Sequence, residues 1–496
     1  MNQNLDSLGI YNRSIALLNE IAGLPVLLVN PYEMRADLDA NLAGVAAALA
    51  HRTQSITFLK FDGRLTESRD YSTSKKIQLK IQEKIQEKQI KELFKKYNFQ
   101  VVKRDVFCNN LKSVKSSFSF SGNLIDYLEQ NSIKNYSKGI YSELAEIINP
   151  ELRLDTKWKN TIITLQKQTK VIEDAMLDTL ALMRPETVVI VPNGKWALAS
   201  TVIDISNLKG FRTLISETGS KMNRVQLFEK SVHSLSEWEE NIKFDWNSST
   251  NDREKRDIAI KCVQKNRDSR QNPYVNLMQM GSSVPKESAG KKRIVFFTTS
   301  DSESSPFEDS KNPTEFNNQY EAARALFDLQ VFKNWEKIVR CHPHLDRSKF
   351  VESPQLDKWE EFQLSHLCTI LPGISSIDSY ELAKSADLVA GFSSTILLES
   401  IYLGIPTVIC GPTFLGSLLN KNCFPSLESL KSLDISRLKV LSRESERVLP
   451  FFYHQAIRGF DNPFLKSDSP INRKKWEVQT SRLIGYLLRE QGIRNS

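Results

Sequence analysis

Ser393-Ser394-Thr395 follows the apolar run Leu388 to Ala390 and the turn residue Gly391, and stands where a helix begins. Each hydroxyl can accept from an orphan backbone N–H of the first turn. The same N–H groups, with the positive end of a helix dipole, also suit a phosphate. A capped ordinary helix and an anion site are both consistent with these residues. Glu399 lies one turn and a little further on; a carboxylate there can accept from the two hydroxyls of a ribose, or pair with a lysine at the core edge.

Arg340-Cys341-His342-Pro343-His344 follows a second apolar run. An imidazole beside a guanidinium can donate to a mono- or diphosphate and neutralise a leaving group. The alternative is a strand-end histidine bonded to a backbone carbonyl. Glu217, in Ser216-Glu217-Thr218-Gly219-Ser220, has no neighbouring acid. It can serve as a general base toward a hydroxyl, or accept N–H bonds from its own loop. Asn193 and Lys195, in Pro192-Asn193-Gly194-Lys195, follow another strand-like run.

Metal chemistry is not expected. His342 and His344 are too few, and their spacing around a proline is not diagnostic. Asp37 and Asp39 stand at a helix start, where capping accounts for them. The six cysteines are scattered without a Cys-x-x-Cys pair, which fits reduced thiols and neither a disulfide framework nor a zinc site.

The elements that must position these groups read as two α/β halves. Leu24 to Asn30 predicts a buried strand, Leu38 to Ala50 a helix, and Ser55 to Phe61 a second strand. Residues 105–185 read as mostly helical, with a long periodicity over Thr156 to Met183. Thr187 to Val191 and Arg212 to Ile215 are strands around a helix from Trp196 to Leu208. In open α/β sheets ligands bind beyond the carboxyl ends of strands, which favours Asn193, Lys195 and Glu217 over their neighbours. Residues 245–290 are polar and suggest a boundary, with Gly281 to Pro285 as linker. The second half starts afresh with strands Arg293 to Thr298, Lys337 to Cys341, Thr369 to Leu371, Leu388 to Ala390 and Thr407 to Cys410. Helices are expected at Asn318 to Asn334, Tyr380 to Lys384, from Ser393 to the stop at Gly404 and Pro406, and around Trp476 to Leu488.

The chain has 496 residues, room for two or more domains, with 40% hydrophobic and 25% charged residues as in globular proteins. A net charge of +8 does not by itself indicate nucleic acid. Ten basic and three acidic residues over 75–104 give that stretch +7, around Ile77, Ile81 and Ile85. It reads as an amphipathic basic helix: either a solvated face over an apolar stripe, or a surface for an anionic membrane or polymer. No signal peptide is expected, and no apolar run is long enough to span a bilayer.

The second half resembles bacterial capsule and surface-polysaccharide glycosyltransferases of the GT-B fold. The residues that carry the resemblance are Phe296 to Glu303, Asn318-Gln319, Val339 to Pro343, Ser379 to Leu382, and Ala386 through Pro406. Pro192 to Lys195 and Ser216 to Gly219 look like the same group's Asn-Gly and acidic-Gly segments. The His-Pro and Ser-Ser motifs are similar to those of bacterial polysialyltransferases and Kdo transferases, which use CMP-sugars. Aligned on Gly219, Glu217 takes the first acidic position of that group's motif and Thr218 the second, a departure from the pattern.

The resemblance implies two Rossmann-like domains facing each other across a cleft, with helical insertions in the N-terminal half. An acceptor domain would span 1–285 and a nucleotide-sugar donor domain 286–496, with the last helix packing back on the first. It implies a metal-independent, cofactor-free glycosyltransferase acting on a polysaccharide or glycolipid acceptor. Carried over, His342, Ser393 and Ser394 would bind the donor and Glu217 would be the base; the residue reading adds Arg340, Thr395 and Glu399 to the donor contacts, His342 to catalysis, and Asn193 and Lys195 on the acceptor side. A cytoplasmic enzyme is expected, with peripheral contact at the inner membrane or an export complex and no nucleic-acid partner. Rival readings are a GT-B-fold sugar-nucleotide epimerase, a polyol-phosphate transferase and a non-catalytic scaffold.

Overall fold

A computed structural model describes residues 10–32, 36–50, 52–62, 100–105, 136–145, 156–221, 223–268, 271–272, 277–278, 290–299, 314–342, 354–373, 375–413, 415–416, 418–441 and 445–462. They form two compact units. The first comprises 1–232 with 457–496, and the second 233–456.

The first unit is built on β1 (Val26–Asn30), β2 (Ile56–Asp62), β3 (Gln100–Asp105), β4 (Val188–Pro192), β5 (Thr213–Thr218) and β6 (Arg224–Phe228). A short strand, Phe460–Asp461, completes a seven-stranded sheet. Its order is Phe460–Asp461, β6, β5, β4, β1, β2, β3. β1 to β5 are parallel; β6 runs antiparallel to β5 and to the returning strand. β1 and β4 are wholly buried, as continuous Val/Leu/Ile runs in a sheet covered on both faces must be. One face packs Val26, Leu28, Val188, Ile190 and Leu214 against the helices Arg13–Glu20 and Ala36–Leu49. Between β3 and β4 come the helices Tyr136–Ala145 and Thr156–Leu180, and after β4 comes Ala197–Leu208.

The second unit holds β7 (Arg293–Phe297), β8 (Glu336–Arg340), β9 (Thr369–Leu371), β10 (Leu388–Gly391) and β11 (Thr407–Ile409). All are parallel, in the order β9, β8, β7, β10, β11. The chain builds outward from β7 to β9, then restarts on the other side of β7 with β10. The crevice between β7 and β10 is therefore the topological switch point, where such sheets bind ligands. Ile294, Phe296, Val339, Leu388, Ala390 and Val408 meet Ala322, Leu326, Phe327, Trp359 and Phe362 in one core. At the amino edge the Arg293 guanidinium grips the Glu336 carboxylate at 2.8 and 3.0 Å, both side chains nearly fully buried. Its Nη1 also donates to Ser385, and its backbone N–H to Asp387.

Two Rossmann-like units in one chain, the second followed by a return to the first, give the expected α/β, GT-B organisation. The expected strands agree with the sequence to within a residue or two, apart from β5, which runs on to Thr218; β3, β6 and Phe460–Asp461 were not expected as strands. The boundary does not. It falls at 232/233 instead of 285/286, because the helices Leu235–Ser248 and Asp252–Asp268 belong with the second unit. His454 Nδ1 and Asp245 Oδ2 lie 2.6 Å apart, both nearly inaccessible, and Arg256 pairs with Glu446. Asp252–Asp268 was hidden by composition: its buried apolar stripe is only Ala259 and Val263 among charged residues. The helix expected over Asn318 to Asn334 is Gln319–Phe327, followed by a short 3-10 turn at Gln330–Phe332. The basic stretch 75–97, the linker 281–285 and the terminal helix around Trp476 to Leu488 lie outside the described residues. Among the described residues, the segment that returns to the first unit runs from Ile457 to Asn462. Among the described residues no helix is long and apolar enough to cross a membrane.

Candidate functional site

Three strands of the second sheet end level with one another: Arg340 and Gly391 both pair with Phe297. Their exits bring Thr298-Thr299, Cys341-His342 and Phe392-Ser393-Ser394 to the same carboxyl edge. Gly391 is required there, since a Cβ would lie 2.7 Å from the Phe297 carbonyl oxygen.

The helix leaving β10 is Thr395–Tyr402, and Ser394 is its N-cap residue, with extended backbone. Its hydroxyl makes no capping hydrogen bond. Other helices of the unit fill this position from within. Asn318 accepts from the N–H groups of Tyr320 and Glu321, Asp378 from Tyr380 and Glu381, Ser234 from Glu237, and Ser426 from Ser429. Ser393 and Ser394 are half-buried and Thr395 is exposed. Of the two alternatives the sequence left open, the hydroxyl cap is not made: the N-cap residue is Ser394, and its side chain does not cap.

His342 is half-buried, and its backbone N–H donates to Thr298 Oγ1 at 2.7 Å. Thr298 N–H in turn donates to the Arg340 carbonyl at 3.1 Å. Thr299 is held by Gln319, whose Oε1 accepts from the Thr299 N–H and whose Nε2 donates to the Thr299 carbonyl, both at 2.9 Å.

Arg340 is buried, and its guanidinium donates to the carbonyls of Pro372, Ser375 and Ile377. The cation expected to face a leaving phosphate is engaged in bracing the loop after β9. Glu399 is also buried. Tyr380 donates its hydroxyl to Glu399 Oε1 at 2.9 Å, and the Asn266 side chain is a further hydrogen-bond partner. Burial, only partly offset by those two bonds, pushes the carboxyl up to about 7. Placed this way, Glu399 ties the helices Ser379–Ser385, Thr395–Tyr402 and Asp252–Asp268 together instead of presenting oxygens to a ribose.

At the carboxyl edge of the first sheet, Asn193 and Gly194 both have left-handed backbones, φ 64° and 68°. A Cβ at Gly194 would also meet Ile215 Cδ1 at 2.8 Å. This turn aims Asn193 Nδ2 at Glu217 Oε2, 3.1 Å away, while Glu217 Oε1 accepts from the Thr218 N–H at 2.9 Å. Lys195 is half-buried, and its backbone N–H donates to Asn193 Oδ1. Asn193 and Glu217 are therefore joined side chain to side chain, and Lys195 meets Asn193 through its backbone N–H. The helix N-terminus beside it is filled from within: buried Glu143 accepts from the Ala197 N–H. Asp39, inside the first turn of its helix, accepts from Asn30 Nδ2 at 2.6 Å.

Sequence reasoning overlooked Thr298, Gln319, Tyr380 and Asn266 as contributors. Asn318-Gln319 and Ser379-Tyr380 were visible as motifs, but their partners are set by the fold. Nothing in the sequence around Glu143 signals its place.

No protein-family profile matches the chain, and no curated protein matches it. Solved structures of similar shape include KpsC, beta Kdo 2,4 transferase, of Thermosulfurimonas dismutans, at 14% identity and TM-score 0.36, over 60% of this chain and 87% of that one. A UDP-GlcNAc 2-epimerase of Neisseria meningitidis is similar at 10% identity and TM-score 0.29, over 92% of this chain and 100% of that one. An alpha,alpha-trehalose 6-phosphate synthase of Burkholderia multivorans is similar at 9% identity and TM-score 0.33, over 95% and 100%. These scores are low, so the fold class stands on the strand orders and registers themselves.

Proposed function

We propose that this chain is a glycosyltransferase that moves a sugar from a nucleotide-sugar donor to a saccharide or glycolipid acceptor of surface or capsule polysaccharide. The observation that carries the reading is the helix Thr395–Tyr402. It starts at the switch point of a parallel sheet, and its N-cap side chain makes no capping bond; the Leu397 N–H donates to the Ser394 carbonyl, so the N–H groups of Thr395 and Ile396 are the ones offered to an outside acceptor. In the first unit the equivalent position already holds the Glu143 carboxylate, which supports a donor site on the second unit.

In this reading Ser393, Ser394 and Thr395 bind the donor phosphate. His342 donates to it as the bond from sugar carbon to phosphate oxygen breaks. Glu217, oriented by Asn193, takes the proton of the acceptor hydroxyl as the new glycosidic bond forms, and Lys195 stands beside it on the acceptor side. Arg340 and Glu399 act by holding the surrounding backbone. The helix dipole and His342 supply the charge neutralisation, so the reaction is metal-independent. The enzyme works in the cytoplasm, with peripheral contact at the membrane where a lipid-linked acceptor is used.

The test is thermal denaturation with CMP, UDP, GDP and CDP in a chelator-containing buffer. One nucleotide is expected to raise the melting temperature, and the raise is expected to vanish in Ser394→Asp, which puts a carboxylate at the phosphate position. No shift with any nucleotide overturns the reading.

A further inference from the structure

The peptide between Thr299 and its strand is clamped from the side. Gln319 is the first residue of its helix, and its side chain is 1% exposed. Its amide bonds both the N–H and the carbonyl of Thr299, as a neighbouring strand would. Asn318 caps the same helix with two hydrogen bonds, which fixes where Gln319 starts. Thr299 follows Thr298, and Thr298 is bonded on both sides. Its N–H reaches the Arg340 carbonyl, and its hydroxyl accepts the His342 N–H. Arg340 is held in turn through the carbonyls of Pro372, Ser375 and Ile377. The histidine thus hangs from a buried hydroxyl on the adjacent strand exit, and that exit is locked by a glutamine.

We infer that Thr298 and Gln319 are positioning residues that set the backbone of His342 at the switch point, so that its imidazole meets the donor phosphate. The inference rests on the donor-site reading above. The physical ground is the distance dependence of a charge-assisted bond: it is strong only when donor and oxygen approach within hydrogen-bond reach. A backbone held by a 2.7 Å bond to a buried hydroxyl has little freedom to drift. Two features point to a positional role. The Gln319 amide bonds both the N–H and the carbonyl of one residue, Thr299. Thr298 offers an oxygen to His342 where valine, the same shape, would offer none.

The experiment uses the full chain with Thr298→Val, Thr298→Ser and Gln319→Ala. Two readouts are taken: the resonances of the His342 ring, assigned by their loss in His342→Ala, and nucleotide affinity by calorimetry with CMP, UDP, GDP and CDP. Thr298→Val and Gln319→Ala are expected to move the His342 resonances and weaken the bound nucleotide by about tenfold, the scale of one lost hydrogen bond to a charged group. Thr298→Ser is expected to restore both. His342 resonances that stay put in folded Thr298→Val overturn the inference. So does unaltered nucleotide affinity in both Thr298→Val and Gln319→Ala. If Thr298→Val does not fold, Gln319→Ala decides alone. Moved resonances in a protein whose wild type binds none of the nucleotides would uphold the positioning and retire the donor-site reading.

Discussion

Glu399 shows how a residue's type can be legible while its task is not. Its spacing from Ser394 placed it correctly on the helix, one face inward. Which partner it meets depends on Tyr380 and Asn266, far apart in sequence. The consequence is a pH dependence of known sign. The folded carboxyl is raised from 4.5 to about 7 by burial, so the native state holds its proton where the unfolded chain releases it. The stabilisation is complete below pH 4.5 and is lost as pH rises toward 7, at no more than about 1.4 kcal/mol per pH unit. Denaturation of wild type and Glu399→Gln from pH 4.5 to 8 measures it. The decline is expected to be shallower in the variant, whose amide oxygen still accepts from Tyr380. Equal slopes would show that folding does not raise the Glu399 carboxyl above its unfolded value.

The element that matters most is the helix Thr395–Tyr402. Two helices of this unit with similar-looking starts behave differently. Asn318 caps its helix and Ser394 does not, although both residue types favour the position. Removing a working cap costs about 1 kcal/mol, so Asn318→Ala is expected to lose that much. Ser394→Ala is expected to lose under about 0.5 kcal/mol, as a surface change away from any bond does. Urea denaturation of the two variants checks the difference; an equal loss would mean that Ser394 caps in solution. Local patterns showed the serine, the strand before it and the Gly-Pro stop after it. They could not show that its hydroxyl stays off the helix, because a cap bond is a matter of one χ angle.

At the scale of the whole molecule, the chain leaves its first unit after Val232 and re-enters at Ile457. The re-entry is fastened by buried Arg224, which donates to the carbonyls of Ile457, Arg458 and Gly459 and pairs with Asp461 at 3.3 Å. Asn12 adds bonds to the Ile457 and Gly459 carbonyls at 3.0 and 2.6 Å. Gly459 has φ 87°, and a Cβ there would lie 2.6 Å from the Val225 carbonyl oxygen. Arg224→Met is expected to destabilise by about 3 kcal/mol, since Asp461 and several carbonyls lose a buried partner. Limited proteolysis should then cut near residue 457 before it cuts elsewhere; an unchanged pattern would argue that strand pairing alone holds the return.

Nine of the strands, the two-fold repetition of a parallel α/β sheet and the chemical residues at strand ends followed from local pattern: apolar runs, glycines and prolines act over a few residues; β3, β6 and the returning Phe460–Asp461 did not. The boundary at Val232, the return at Ile457, the engagement of Arg340 and Glu399, and the filling of one helix N-terminus by Glu143 did not. Each joins residues tens to hundreds of positions apart, and such contacts are decided by which surfaces the folded chain buries together.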